Sequence, residues 1–289
     1  MITMIIGVTG GKGGVGKSTL SVGIVHALVK HGYKVLLVDA DVECPNDHLL
    51  LGIQINEMVH AREVTVGKPV INEDECIKCG VCVRTCRESA LFQLPGQVPQ
   101  LLSDQCIGCG ACSLACPVKA ITEIPERVGD VYRYDVPNTS GRLTLLTGML
   151  KPGYEEASPV VNVLMDVMED VREGFDYVIV DTAPGTHCNV ISSLRHVDRA
   201  IAVTEPTPLG AHDLDLILTL GTELKVPMSV VINRAGIGDE TEVDDVVSKH
   251  DVPVLGRIPY DKQIFESYVR GEPIDHESIN YIVNRLTGG

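Results

Sequence analysis

Tryptophan is absent from these 289 residues and phenylalanine occurs only 3 times. A nucleic-acid surface built on stacked bases needs such aromatics. Positive charge is also scarce: 24 Lys and Arg stand against 39 Asp and Glu, for a net charge of −15. That is the wrong sign for binding a phosphate backbone, so no nucleic-acid partner is expected. No uncharged apolar run approaches the ~18 residues of a membrane span. The opening MITMIIGVTGG lacks the basic lead-in of a secretory segment, so a cytoplasmic location is expected. Hydrophobic residues make up 44% of the chain, enough for a sizeable core, and the length allows two domains or one large domain with an insertion. The 10 cysteines, in a chain with no export signal, point to metal ligands and not to disulfides.

The apolar run 4–9 ends in the glycine-rich segment from Gly10 to Gly16. A helical pattern follows, with Leu20, Ile24, Ala27, Leu28 and His31 near one face and Gly32 as its stop. A second buried strand, 34–38, ends at Asp39. Strand patterns return at 177–181, 199–204, 228–233 and 254–258, with helical stretches near 157–173, 188–196, 210–224, 240–250 and 261–270. Strands alternating with helices predict an α/β fold with a doubly wound, mostly parallel sheet. The final amphipathic stretch (Ile279, Ile282, Val283, Leu286) carries only one Arg, so it is expected to pack on the sheet and give no stable membrane association.

Between 66 and 134 the pattern breaks. DECIKCGVCVRTCRESAL (74–91) repeats at an offset of 30 as DQCIGCGACSLACPVKAI (104–121), and the segment holds eight of the ten cysteines. Its 7 Lys/Arg and 8 Asp/Glu leave nearly all the net charge elsewhere. The expected organisation is a discontinuous domain, 1–65 and 135–289, interrupted by a small α+β domain at 66–134.

Gly11-Lys12-Gly13-Gly14-Val15-Gly16-Lys17-Ser18 is a phosphate-binding loop between a strand and a helix. Its glycines let backbone N–H groups turn inward around a phosphate, and the helix start adds its dipole. Lys17 is expected on the β- and γ-phosphates, Ser18 on Mg²⁺, and Thr19 beside it completes the loop. Asp41 lies just past a strand end, in the crevice where such sheets bind ligands. KGGVGKS, with its additional Lys12, resembles the deviant Walker A of the MinD/Mrp/ParA superfamily, which includes the nitrogenase iron protein. VDADVECPN, VDTAPG, VINR and GRIPYD extend the resemblance over nearly all of the α/β part, and the overall pattern is similar to members with an inserted ferredoxin domain. The resemblance implies a Mg-dependent ATPase, slow without its partner, that closes as a homodimer around ATP, with Lys12 reaching the partner's phosphates. It also implies that Asp41 orients the attacking water, that Asp39 belongs to the same switch, and that Asp181 holds Mg²⁺ through water. Gly185 is then the switch II glycine, and Asn233 and Pro259 lie near the base. Aspartates at such positions also close turns and cap helices.

Cys76-x₂-Cys79-x₂-Cys82-x₃-Cys86 and Cys106-x₂-Cys109-x₂-Cys112-x₃-Cys116 are two bacterial ferredoxin runs. In two-cluster ferredoxins the fourth cysteine of each run ligates the other cluster. Cys76, Cys79, Cys82 and Cys116 are therefore expected on one [4Fe–4S] cluster, and Cys106, Cys109, Cys112 and Cys86 on the second. Arg87 follows Cys86 where Pro117 follows Cys116, which changes the turn but no ligand. Structural zinc in Cys₄ sites is the competing reading. Cys44 and Cys188 are expected to be small buried apolar residues, although the nitrogenase iron protein places a bridging cluster near the position of Cys188. The histidines, His26 and His31 among them, form no ligand-like group.

These features together suggest an ATPase whose dimer closure is coupled to electron transfer through two clusters to a redox partner. The alternative is a cofactor-assembly or delivery ATPase. It lacks the Cys-Pro-x-Cys motif of related scaffold proteins. A positioning switch like the MinD and ParA proteins would need a basic amphipathic tail or a basic surface.

Overall fold

The computed structural model describes residues 3–137, 139–270, 272 and 274–288. The chain opens as β1 (Met4–Thr9), α1 (Lys17–Lys30), β2 (Val35–Ala40), α2 (Asp47–Leu50) and β3 (Val59–Ile71). The cysteine segment holds α3 (Val81–Thr85), β4 (Leu91–Phe92), β5 (Gln100–Leu101) and α4 (Ala111–Ala115). Then come β6 (Ile121–Asp135), β7 (Leu143–Leu150), α5 (Ser158–Val171), β8 (Tyr177–Thr182), α6 (Cys188–Leu194) and β9 (Arg199–Thr204). The chain continues with α7 (Pro208–Leu224), β10 (Met228–Ala235), α8 (Thr241–His250), β11 (Val254–Pro259), α9 (Lys262–Arg270) and α10 (Glu277–Thr287).

The main sheet has the order β11-β10-β9-β1-β8-β2-β7-β6-β3. The seven strands from β11 to β7 run parallel, and β6 and β3 are antiparallel. Helices cover both faces, which is why the central strands read as unbroken apolar runs. On one face α1 and α10 bury Leu20, Ile24, Ile279 and Ile282 against Ile6 and Val8. On the other, Val160, Leu164 and Met168 of α5 pack on Leu36 and Val38, and Leu214 and Ile217 of α7 pack on Ala200 and Ala202. The sequence pattern predicts the parallel strands other than β7, and it does not predict the ribbon strands β6 and β3. The strand LTLLTGML is six residues buried at its start, but its threonines interrupt the apolar run that marks the other strands.

β3 and β6 form one long ribbon, paired antiparallel from Val59↔Arg133 to Ile71↔Ile121. Its near half also bonds β7, through Gly129↔Leu150 to Asp135↔Thr144. Its far half leaves the sheet and carries the cysteine segment between Ile71 and Ile121. The residue-66 and residue-134 boundaries drawn from the sequence therefore fall inside these two strands.

Within that segment the sequence repeat is also a backbone repeat. Gly80 (φ 69°) precedes α3 and Gly110 (φ 71°) precedes α4. Cys86 and Cys116 end those helices with nearly the same dihedrals, φ −69°, ψ 110° and φ −72°, ψ 114°. Lys78 and Gly108 share positive φ, as do Ser89 and Lys119. Residues 30 apart thus adopt the same unusual conformations.

Candidate functional site

The phosphate-binding loop leaves the carboxyl end of β1, the central strand, and enters α1. Gly14 (φ 78°) and Gly16 (φ 98°) are left-handed, a conformation that L side chains resist. A Cβ on Gly13 or Gly14 would meet nothing within 4 Å, so this part of the loop borders open space. That is the cradle a phosphate needs. Val15 is buried, and Gly11 packs so closely on Asp213 that a Cβ there would lie 2.5 Å from it. Gly185 (φ 90°) donates its N–H to the Gly10 carbonyl at 3.0 Å, tying the segment after β8 to the loop.

Lys17 is buried at the start of α1. Lys12 is held by Glu205, with Nζ 2.5 Å from Oε1, and the second oxygen of Glu205 accepts from Arg234 at 2.7 Å. Burial alone would raise the Glu205 carboxyl, but the hydrogen bond and charge of Lys12, with Arg234, hold it below its ordinary value. Arg234 also donates to the Gly14 carbonyl at 3.3 Å. Its neighbour Asn233 donates to the Val15 carbonyl at 2.8 Å, placing it against the loop. Pro259 ends β11, the strand beside β10, and is exposed. Glu205 escapes the motif-based reading, and Arg234, although it ends VINR, is given no role by it. The position of Glu205, one residue beyond a central parallel strand, is the signal that could have found it.

Ser18 and Thr19, the next residues of α1, are half-buried. Asp39 and Asp181 sit opposite each other in register on β2 and β8. Burial pushes Asp181 up to about 6, against the pull of the Ser18 hydroxyl and the Lys17 ammonium. Burial, then the charge of Asp181, pushes Asp39 well above its ordinary value. The Asp39 carboxylate accepts N–H groups of Asn46 (2.9 Å), Asp47 (3.0 Å) and Asp41 (3.3 Å), so it closes the loop 41–47. Asp41 itself is half-buried and raised, first by burial, with Lys17 opposing.

Asp47 was not anticipated. Its side chain is fully buried, and neither oxygen has a hydrogen-bond partner. Burial, then the charges of Asp39 and Asp181, pushes it well above the carboxylate range. The folded state thus holds this proton more tightly than the unfolded chain. The destabilisation is absent at low pH and grows as pH rises through the folded value. Asp47→Asn is expected to leave stability nearly unchanged at pH 4 and to raise it by about 1–2 kcal/mol at pH 8. Urea denaturation at both pH values, without nucleotide or Mg²⁺, checks this; a gain that does not grow with pH would sink it.

The eight repeat cysteines ring two apolar-walled cavities. One is lined by Cys106, Cys109 and Cys112 of the second run and Cys86 of the first. The other is lined by Cys76, Cys79 and Cys82 of the first run and Cys116 of the second. Burial pushes the Cys82 and Cys112 thiols up, and the Ala120 N–H donates to Cys116 Sγ at 3.3 Å. Among the described residues no three His, Cys, Asp or Glu side chains are grouped so that they could hold a single metal ion. Cys44 and Cys188 are both exposed, which corrects the expectation that they are buried. Cys44 lies in the loop between β2 and α2, and Cys188 is the first residue of α6.

The "CobQ/CobB/MinD/ParA nucleotide binding domain" matches residues 6–274. The chain belongs to this family. It is therefore a MinD/ParA-type nucleotide-binding P-loop protein of a family of ATPases. It is 35% identical to an uncharacterized protein, MJ0579, of Methanocaldococcus jannaschii, over 93% of this chain and 90% of that one. It is 24% identical to the septum site-determining protein MinD of Synechocystis, over 93% of this chain and 81% of that one. Among solved structures, MinD of Pyrococcus horikoshii, complexed with Mg-ADP, superposes with a TM-score of 0.60. That match has 17% identity and covers 99% of this chain and 96% of that one. The cell division ATPase MinD of Pyrococcus furiosus gives 0.62 at 19% identity, covering 99% of both chains. Among the described residues no helix is long and apolar enough to cross a membrane.

Proposed function

We propose that this protein is an ATP-hydrolysing iron–sulfur protein in which nucleotide-driven closure of a homodimer is coupled to electron transfer, through two [4Fe–4S] clusters, to a partner protein. The observation that carries the reading is the grouping of cysteines: each cavity takes three from one run and the fourth from the other, the crossed ligand set of two-cluster ferredoxins. Zinc would need no ligand from the opposite run, whereas each cavity takes its fourth cysteine from the other run. Bound clusters would supply one-electron transfer. Cys76, Cys79, Cys82 and Cys116 would hold the first and Cys86, Cys106, Cys109 and Cys112 the second. The 66–134 segment would then act as a ferredoxin-like insert.

On the nucleotide side, Lys17 would neutralise the β- and γ-phosphates, Ser18 and Asp181 would serve Mg²⁺, and Asp41 would orient the attacking water. Asp39 holds the switch loop in place through backbone amides. Coupling has a physical route. The Val42 carbonyl, next to Asp41, accepts the Leu150 N–H at 2.8 Å, and β7 pairs with β6, the strand that carries the insert.

The MinD relatives favour a second reading, a positioning switch. Against it, the apolar face of α10, with Ile279, Ile282, Val283 and Leu286, is buried in the core and unavailable as a membrane-binding face. A cofactor-assembly role stands between the two. The test is iron and sulfide analysis of anaerobically purified protein, followed by EPR of the reduced sample with and without ATP and Mg²⁺. About eight irons per chain, with a spectrum or potential that shifts on nucleotide, is the expected result. Eight irons that do not respond, but pass to an apo acceptor, would favour assembly. Iron-free protein that binds ATP normally would favour the positioning switch.

A further inference from the structure

Lys68, on β3, is a buried lysine with no carboxylate partner among the described residues. Its ammonium donates to the Ser103 carbonyl at 3.0 Å and to the Cys106 carbonyl, and it lies 5.1 Å from the centre of the Tyr154 ring. Tyr154 belongs to the loop between β7 and α5, so the cation sits where the α/β core meets the second cysteine run. An unpaired charge in such a place costs free energy unless something offsets it. Two carbonyls and a ring face do so only in part.

We propose that Lys68 selectively raises the reduction potential of the cluster at Cys86, Cys106, Cys109 and Cys112, so that electrons settle at the end of the insert nearer the sheet. This inference rests on the iron–sulfur reading above. A one-electron reduction adds one negative charge to a cluster, and a fixed cation nearby stabilises that charge most strongly where water is excluded. Along the ribbon, Gly67 and Pro69 border this cavity, whereas Ile71, farther from the sheet, borders the other. The other cavity has its own cation: Arg84 donates to the Cys79 carbonyl at 3.2 Å. Arg84 is exposed, however, so water and salt screen it. The two sites thus differ in the burial of the charge beside them. Electrons arriving at the site beside Arg84 would pass on to the site beside Lys68.

The experiment is an anaerobic EPR-monitored redox titration of the full chain, with Lys68→Gln, Lys68→Met, Lys68→Arg and Arg84→Gln. Lys68→Gln keeps a hydrogen-bond donor and removes the charge. It is expected to lower one midpoint potential by a tenfold change in the oxidised-to-reduced ratio, about 59 mV for one electron, and to leave the other in place. Lys68→Arg should retain the wild-type value, and Arg84→Gln should move neither potential comparably. In a Cys112→Ser background, where only the other cluster remains, Lys68→Gln should have no effect. Unchanged potentials, equal shifts of both, or the same shift in Lys68→Arg would overturn the proposal. Loss of iron from both neutral variants would do so too, by making Lys68 a structural residue. Wild-type protein without iron would instead remove the iron–sulfur reading itself.

Discussion

Lys12→Ala is expected to lower kcat for ATP hydrolysis on the order of 10³-fold while leaving ATP affinity within a few-fold of the wild type. The size follows from the class of interaction: a cation supplied to the transferring phosphoryl group contributes about 10³–10⁵-fold in P-loop enzymes. The asymmetry between kcat and affinity follows from the structure. Lys17 sits buried at the start of α1, inside the loop, and is the cation expected on the nucleotide of its own chain. Lys12 is instead paired with Glu205 at 2.5 Å. In the proposed dimer its amine would have to leave that carboxylate to act on a partner's nucleotide, so its contribution would belong to the closed dimer. Single-turnover hydrolysis and equilibrium ATP binding on the same preparations separate the two quantities. Unchanged hydrolysis would remove Lys12 from the reaction, and an equal loss of binding would make it an ordinary phosphate ligand.

Cys86→Ser carries the second large effect. Although Cys86 belongs to the first run, it lines the cavity of Cys106, Cys109 and Cys112. Its loss should therefore perturb the same cluster as Cys112→Ser, and not the one disturbed by Cys82→Ser. Iron is expected to fall from about eight to about four per chain in a ligand variant that loses its cluster. The EPR signal remaining in Cys86→Ser should match that of Cys112→Ser. Cys116→Ser should pair in the same way with Cys82→Ser. If each variant instead grouped with its own run, the sites would be uncrossed. If iron stayed at its full value in all four, the cysteines would not be cluster ligands.

Legibility differed among the elements for identifiable reasons. The parallel strands were plain because a sheet covered on both faces demands runs such as VLLVDA, all six residues of which are buried. β7 was missed because Thr144 and Thr147 are buried within it, and buried threonine breaks an apolar pattern without breaking a strand. The ribbon strands β3 and β6 were obscure because much of the ribbon is exposed and carries charge. VHAREVTVGKPVI carries the exposed His60, Arg62 and Glu63 and the buried Lys68, and has no strong periodicity. Expecting Cys44 and Cys188 to be buried failed for a related reason: composition alone says nothing of whether another element packs over a loop.

Local sequence was sufficient for whatever depends on neighbours in the chain. The phosphate-binding loop needs glycines at fixed offsets because only they take up the left-handed dihedrals seen at Gly14 and Gly16. The cysteine spacing repeats because each short helix must present its thiols in the same way, and the matching dihedrals at Cys86 and Cys116 reflect it. Tertiary structure decided the contacts made between distant segments. Glu205 meets Lys12 because β9 lies beside β1, and Asp181 faces Asp39 because β8 lies beside β2. Lys68 meets Cys106 and Tyr154 only because the ribbon turns its second cysteine run back against the core. Which residues pair carries no sequence signature, even where the residues themselves stand out, since charge and burial act through space and the chain records only order.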